Sequence, residues 1–152
     1  MELSPAKDYE ETVFDHPFRL EENFAESAIG YPWAALDANG NALDGGKNYK
    51  LHLPPNIPVK TFWSVIVYST QTRSMLQTDQ QFPSVSSQNK DLIVNADGSV
   101  DVYFGPKPSA GKEPNWVQTT PGETWFTILR LYGPLEAWFS KTWQPGEIEL
   151  QA

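Results

Sequence analysis

Residues 61–70, T-F-W-S-V-I-V-Y-S-T, constrain the fold more than any other stretch of the chain. In an extended backbone Phe62, Ser64, Ile66 and Tyr68 point to one side, and Trp63, Val65 and Val67 to the other. Both sides are largely apolar, so the run belongs in the middle of a sheet with material packed against each face. Residues 125–132, W-F-T-I-L-R-L-Y, have the same character. Both runs are expected to be interior strands, and the rest of the chain must pair with them and cover them.

Ahead of them, residues 1–16 are polar and acidic, with Glu2, Asp8, Glu10, Glu11 and Asp15. Asp15-His16-Pro17 then reads as a helix entry, with Asp15 or His16 capping and Pro17 in the first turn. Leu20, Phe24 and Ala28 recur at four-residue spacing and Gly30 is a stop, which predicts a short amphipathic helix over 18–29. From Tyr31 the period is two. Residues 31–36 form a strand that Pro32 assigns to an edge, and 37–46 are turn-rich. Tyr49, Leu51 and Leu53 alternate with Lys50 and His52 in a half-buried strand, which the prolines at 54, 55 and 58 end.

Residues 71–91 are polar apart from Met75, Leu76, Phe82 and Val85, and a connection of that length is either functional or contains short strands. Residues 92–94 and 100–104 flank Asn95-Ala96-Asp97-Gly98-Ser99, the composition of a hairpin turn. An irregular loop over 105–115 leads to a short strand at 116–119, and Pro121-Gly122 turns the chain into 125–132. Gly133-Pro134 ends that strand and starts one helical turn over 135–139. Gln144-Pro145-Gly146 leads into a last strand at 147–150. About eight short strands with Gly and Pro between them predict an all-β chain. The expected architecture is an antiparallel, jelly-roll-like β-sandwich over 30–152, preceded by an acidic segment, 1–29, that carries the short helix.

Composition narrows the functions. A net charge of −8 argues against nucleic acid and anionic membrane surfaces as partners. With no cysteine there is no disulfide, no thiolate catalysis and no Cys-ligated zinc. Residues 1–15 lack the basic start and apolar core of a signal peptide, and no apolar run reaches membrane-span length. The expectation is a soluble chain without an export signal, its compartment unassigned. Six Trp, six Tyr and eight Phe first of all fill a sandwich core.

A series of motifs adds a resemblance that periodicity does not supply. Leu43-Asp44-Gly45, Tyr49-Lys50-Leu51, Phe62-Trp63-Ser64-Val65, Tyr68 and Thr72-Arg73 begin it. Asp97-Gly98-Ser99, Asn115-Trp116, Pro121-Gly122, Arg130-Leu131-Tyr132-Gly133-Pro134 and Trp143 continue it. In this order over roughly residues 30–150 they resemble the domain of unknown function 1214 family. The resemblance implies a jelly-roll-like sandwich and, in longer relatives, a second β-rich domain ahead of it, so that this chain looks like a lone or abbreviated version. It implies no reaction and no ligand.

Candidate chemistry is sparse. Two histidines, His16 and His52, in different kinds of element do not make a transition-metal centre, and no metal or cofactor is expected. No G-x-S-x-G elbow is present. The runs Asp37-Asn39-Asn41-Asp44 and Asn95-Asp97-Asp101 alternate oxygen-bearing side chains as calcium loops do, but Asx and Gly are also what tight turns need. Asp79, Asp101, Glu113 and Glu123 are the carboxylates available for sugar hydrolysis. Arg130 shares a strand face with Phe126, Ile128 and Tyr132, so its charge must find a partner or line a cavity. Arg73, Asp79, Asn115 and Trp116 lie in loops that a jelly roll brings towards one end. Together with Arg130 and Tyr132 they are the ligand-binding candidates, with Trp116 or Tyr132 as stacking surface for a small polar or sugar-like ligand. The first expectation is a non-catalytic or accessory module that binds a ligand or partner. The alternative is a small hydrolase or carbohydrate-active enzyme that uses carboxylates or a bound metal. If the chain self-associates, a symmetric homodimer through an aromatic face is the expected form. The competing expectation is that Leu20, Phe24 and Ile29 fold over that face in a monomer.

Overall fold

The structure, a computed structural model, describes residues 29–30, 33–76, 78 and 84–151. Two sheets divide the described strands between them. The first holds Ile29–Gly30 (β1), Trp33–Ala34 (β2), Leu43–Asp44 (β3), Val59–Ser69 (β5), Ser84–Ser86 (β6) and Thr124–Pro134 (β9). The second holds Tyr49–Leu53 (β4), Val100–Gly105 (β7), Trp116–Gln118 (β8) and Ile148–Leu150 (β10). One short helix, Glu136–Phe139 (α1), follows β9.

The two expected interior strands pair antiparallel with each other, from Phe62 opposite Tyr132 to Ser69 opposite Trp125. On its far edge β9 takes β1, β2 and β3 in succession, at Tyr132, Ile128 and Trp125. On its far edge β5 takes β6. Alternation then sets the layers. Trp63, Val65 and Val67 of β5 are buried, as are Trp125, Leu129 and Leu131 of β9. The second sheet answers with Tyr49, Leu51 and Leu53 of β4, Val102 and Phe104 of β7, Val117 of β8 and Ile148 of β10. These side chains form a single core between the sheets, and burying each Leu or Val completely contributes about 1.5–3 kcal/mol. Trp125 joins the layers, edge-on to Tyr49 at 5.7 Å and tilted against Phe104 at 4.8 Å between ring centroids.

Three expectations change. The helix over 18–29 lies outside the described residues except for Ile29, which belongs to a strand on the edge of β9. The sheets are not purely antiparallel, because β8 runs parallel to β7. Residues 92–94 do not form the first arm of a hairpin. Ile93 gives its N–H to Asn115 Oδ1 and receives Asn115 Nδ2–H on its carbonyl, both at 2.9 Å, which removes these groups from any ladder.

A close approach of backbone to backbone ties the sheets together below β3. A Cβ at Gly45 would fall inside contact distance of the Thr120 carbonyl and 2.9 Å from the Glu123 carbonyl oxygen. The Gly45 N–H donates to that Glu123 oxygen at 2.8 Å, and its carbonyl accepts the Thr119 hydroxyl at 2.8 Å. Gly45→Ala is therefore expected to cost about 3 kcal/mol or more, by forcing two main chains apart. Gly111→Ala, at φ +78° with open space around it, should cost only about 1 kcal/mol. Urea unfolding midpoints compare the two, and equal losses would rule out the close approach as the cause.

Candidate functional site

On the second sheet the alternation that buries Tyr49, Leu51, Val102 and Val117 sends Lys50, His52, Asp101, Tyr103, Trp116 and Gln118 to the outer face. Register lines them up in rows. Glu149, Lys50, Tyr103 and Trp116 follow one another across β10, β4, β7 and β8. His52 faces Asp101 in the next outer row. At the Tyr103–Trp116 end a recess of about 360 Å³ opens, lined also by Asn48, Lys107, Ser109 and Gln151. The indole Nε1–H of Trp116 donates to the Gly105 carbonyl at 3.0 Å, which fixes the ring beside the strand. Lys112 places its ammonium 5.6 Å over the Tyr103 ring, within cation–π range.

The His52–Asp101 row is polar throughout. His52 Nδ1 lies 2.7 Å from Asp101 Oδ1, with side-chain exposures of 46% and 18%. Asn95 Nδ2 donates to Asp101 Oδ2 at 3.2 Å and to the Ser99 hydroxyl at 3.0 Å. Burial pushes the Asp101 carboxyl up. Hydrogen bonds from His52 and Asn95, with the charges of His52 and Lys50, outweigh it and hold the group below the usual carboxylate range. Asp97 is held low by the hydroxyl and N–H of Ser99.

The six sequence candidates do not meet in one place. Trp116 lines the recess. Asn115, buried, spends its amide on Ile93 and on the Asp101 carbonyl, and so fastens a loop to β7. Arg130 and Tyr132 lie on the outer face of the first sheet, across the core from Trp116, because Leu129 and Leu131 point inward. There Arg130 Nη2–H donates to the Tyr68 hydroxyl at 2.9 Å, and Tyr132 stacks on Phe62 at 4.1 Å. Arg73, at φ +62°, is exposed in the tight turn that closes from its N–H to the Ser69 carbonyl. Asp79 is outside the described residues. Asn48, Tyr103, Lys107, Ser109 and Gln151 line the recess and were not among the sequence candidates. Tyr103 carried a signal, as an aromatic residue on the polar side of an alternating strand.

The calcium-like runs serve as turns. Asp37 Oδ1 accepts the N–H groups of Asn39 and Asn41, and Asp44 Oδ1 that of Gly46. Among the described residues no group of three His, Cys, Asp or Glu is placed to hold a metal, and no helix is long and apolar enough to cross a membrane.

The family model described as "Protein of unknown function (DUF1214)" matches residues 29–136, and the chain belongs to that family. The crystal structure of the VPA0106 protein from Vibrio parahaemolyticus is similar, at 27% identity and a TM-score of 0.70 over 82% of this chain. An uncharacterized protein from Burkholderia cenocepacia shares the fold, at 22% identity and a TM-score of 0.51 over 82% of this chain. The matched regions are only 31% and 29% of those two chains, so this chain spans about a third of their length. No curated protein matches it.

Because Asp101 binds its proton less readily folded than unfolded, acid favours the unfolded state, which takes up more protons. Its stabilisation is complete above the ordinary carboxylate pKa of 3.8 and is lost as pH falls through the lower folded value. Asp101→Asn should therefore reduce stability at neutral pH by about 1 kcal/mol or less, as for other partly exposed pairs. It should also flatten the fall in stability below about pH 4. Chemical denaturation at several pH values measures both, and an unchanged acid slope would count against the His52–Asp101–Asn95 arrangement.

Proposed function

We propose that this DUF1214 chain is a non-catalytic binding module, a jelly-roll-like sandwich that holds a small hydroxyl-rich, sugar-like ligand on the outer face of its second sheet. The strands support the architecture, since the chain passes repeatedly from one sheet to the other as it runs from β3 to β10. One observation carries the functional reading, the recess in which Trp116 and Tyr103 stand side by side among Asn48, Ser109 and Gln151. A sugar ring presents C–H bonds on its flat faces and hydroxyls round its rim. An indole face suits the former, and amide and hydroxyl side chains suit the latter. Lys112 lies over the ring of Tyr103, and Trp116 follows Tyr103 in the same cross-strand row. The volume is at the lower end of the roughly 300–1,000 Å³ typical of small-molecule sites, matching one or two sugar rings better than a long polymer.

A hydrolytic reading has one observation in its favour. Asp101 engages His52 at Nδ1, while Nε2 makes no hydrogen bond among the described residues, the disposition of a general base with an orienting carboxylate. His52 does not line the recess, and among the described residues no hydroxyl nucleophile is hydrogen-bonded to it. Binding is therefore the first reading.

Calorimetric titration with neutral mono- and disaccharides should give dissociation constants of about 0.1–1 mM, as for a shallow preformed site. Trp116→Ala should weaken binding at least tenfold, and Tyr132→Phe, on the opposite side of the core, should leave it unchanged. His52→Gln should also leave binding unchanged. Equal losses in the Trp116 and Tyr132 variants would remove the recess as the site.

A further inference from the structure

We infer that the Asn48 amide reads two adjacent hydroxyls of the ligand, and that Gly105 positions that amide by leaving room for it. The inference rests on the recess reading and adds two things to it, the group that selects the ligand and the residue that seats this group.

Strand register brings the two residues together. Tyr49 is opposite Phe104, and one step further along both strands Asn48 comes opposite Gly105. Because Tyr49 and Phe104 point inward, alternation assigns this pair to the outer face, next to Lys50 and Tyr103. The row continues on one side with Gln151, whose N–H donates to the Asn48 carbonyl at 2.8 Å. On the other side Gly105 is paired with Gln118 of β8. Gly105 is thus the one position of the row without a side chain, and the end of Asn48 lies across it. A Cβ on Gly105 would fall inside contact distance of Asn48 Oδ1 and 3.2 Å from its Cγ. The Asn48 Cα would be 3.6 Å away, an ordinary contact. The flexible end of one side chain stands in the way, and no main chain does.

The two amides in the lining of the recess are not equivalent. Gln151 donates from Nε2 to the Glu149 carbonyl at 3.2 Å. The Asn48 amide makes no hydrogen bond among the described residues. A primary amide offers a donor and an acceptor side by side in one plane. Two hydroxyls on neighbouring sugar carbons present the complementary pair, and an isolated hydroxyl satisfies half of it. A ligand that leaves one amide group dry and unpaired loses more than the bond itself, which makes the contact selective.

Gly105→Ala isolates the positioning. Gly105 is not one of the glycines at positive φ, so its backbone suits alanine. Its carbonyl, which accepts the Trp116 Nε1–H and the Thr119 N–H, both at 3.0 Å, is main chain and stays in place. The added methyl acts on the Asn48 amide and turns it off the wall of the recess.

Calorimetric titration with glucose, galactose and mannose finds the tightest of the three, and its 2-, 3- and 4-deoxy analogues then probe the contact. Asn48→Ala and Gly105→Ala are each expected to weaken that sugar about tenfold, and the double variant no more than either alone. Gly105→Ala should keep the urea midpoint of the parent chain. Two analogues that lack neighbouring hydroxyls should bind the parent chain about tenfold more weakly than the intact sugar, yet bind Asn48→Ala as well as that sugar does. Additive losses in the double variant, an unchanged affinity in Gly105→Ala, or failure of Gly105→Ala to fold would each remove Gly105 as the positioning residue. Affinity that survives Asn48→Ala but is lost in Trp116→Ala would overturn the inference and leave the recess standing. If none of the three sugars binds, the recess reading fails and this inference with it.

Discussion

The pairing of β5 with β9 is the constraint on which everything else depends. It is the longest ladder in the described structure, and every other strand of the first sheet attaches to one of its two edges. Its register also decides what is inside. In a strand pair, a slip of one residue would move the entire inward set of side chains to the outside. Here such a slip of β9 would replace Leu129 and Leu131 by Arg130 and Tyr132 in a core built of hydrophobic side chains. The native register sends Arg130 outward to the Tyr68 hydroxyl, so the one charged residue of the interior run acts against mispairing.

From that ladder the order propagates to the second sheet through Trp125. Its indole touches Tyr49 and Phe104, and its ring nitrogen has no acceptor among the described residues, a cost that the buried aromatic area offsets. Because side chains alternate, fixing Tyr49 and Phe104 inward fixes their neighbours Lys50 and Tyr103 outward. The recess is therefore set up from within. Tyr103 and Trp116 stand together because β8 is parallel to β7 in a register that puts Val117 opposite Phe104.

The long strands were legible in the sequence because both their faces are apolar, a pattern that leaves few places for them in a sheet. Strand β2 falls inside the strand expected over 31–36, but its short extent and strands β1 and β3 were harder to see. Each has only two residues, and their pairing depends on the edge of β9 rather than on any periodicity of their own. The supposed hairpin arm at 92–94 failed for a specific reason. Asn115, more than twenty residues away, takes the backbone groups of Ile93, and local pattern cannot register a bond of that range. The sequence singles out Arg130 as a charge that must find a partner on an otherwise apolar strand face, and it donates to the Tyr68 hydroxyl. Asn115 reads as a loop candidate for ligand binding and instead spends its amide on the backbone of Ile93 and Asp101. The recess was less accessible to sequence reasoning. Asn48, Tyr103, Ser109, Trp116 and Gln151 come from separate segments, and only strand register assembles them.

The two outer faces of the molecule, built by the same alternation, have come to differ in kind. On the first sheet the aromatic residues engage one another. Phe62 stacks on Tyr132, Tyr68 stacks on Phe126, and Trp33 meets Phe126 edge-on. Rings paired in this way have already spent one face on a neighbour, which contributes to holding β5, β9 and β2 together. On the second sheet Trp116 and Tyr103 stand opposite each other across the β8–β7 ladder. A backbone carbonyl orients the first and a lysine caps the second. The recess beside them, with Asn48, Ser109 and Gln151 in its lining, supports the second sheet as the candidate site.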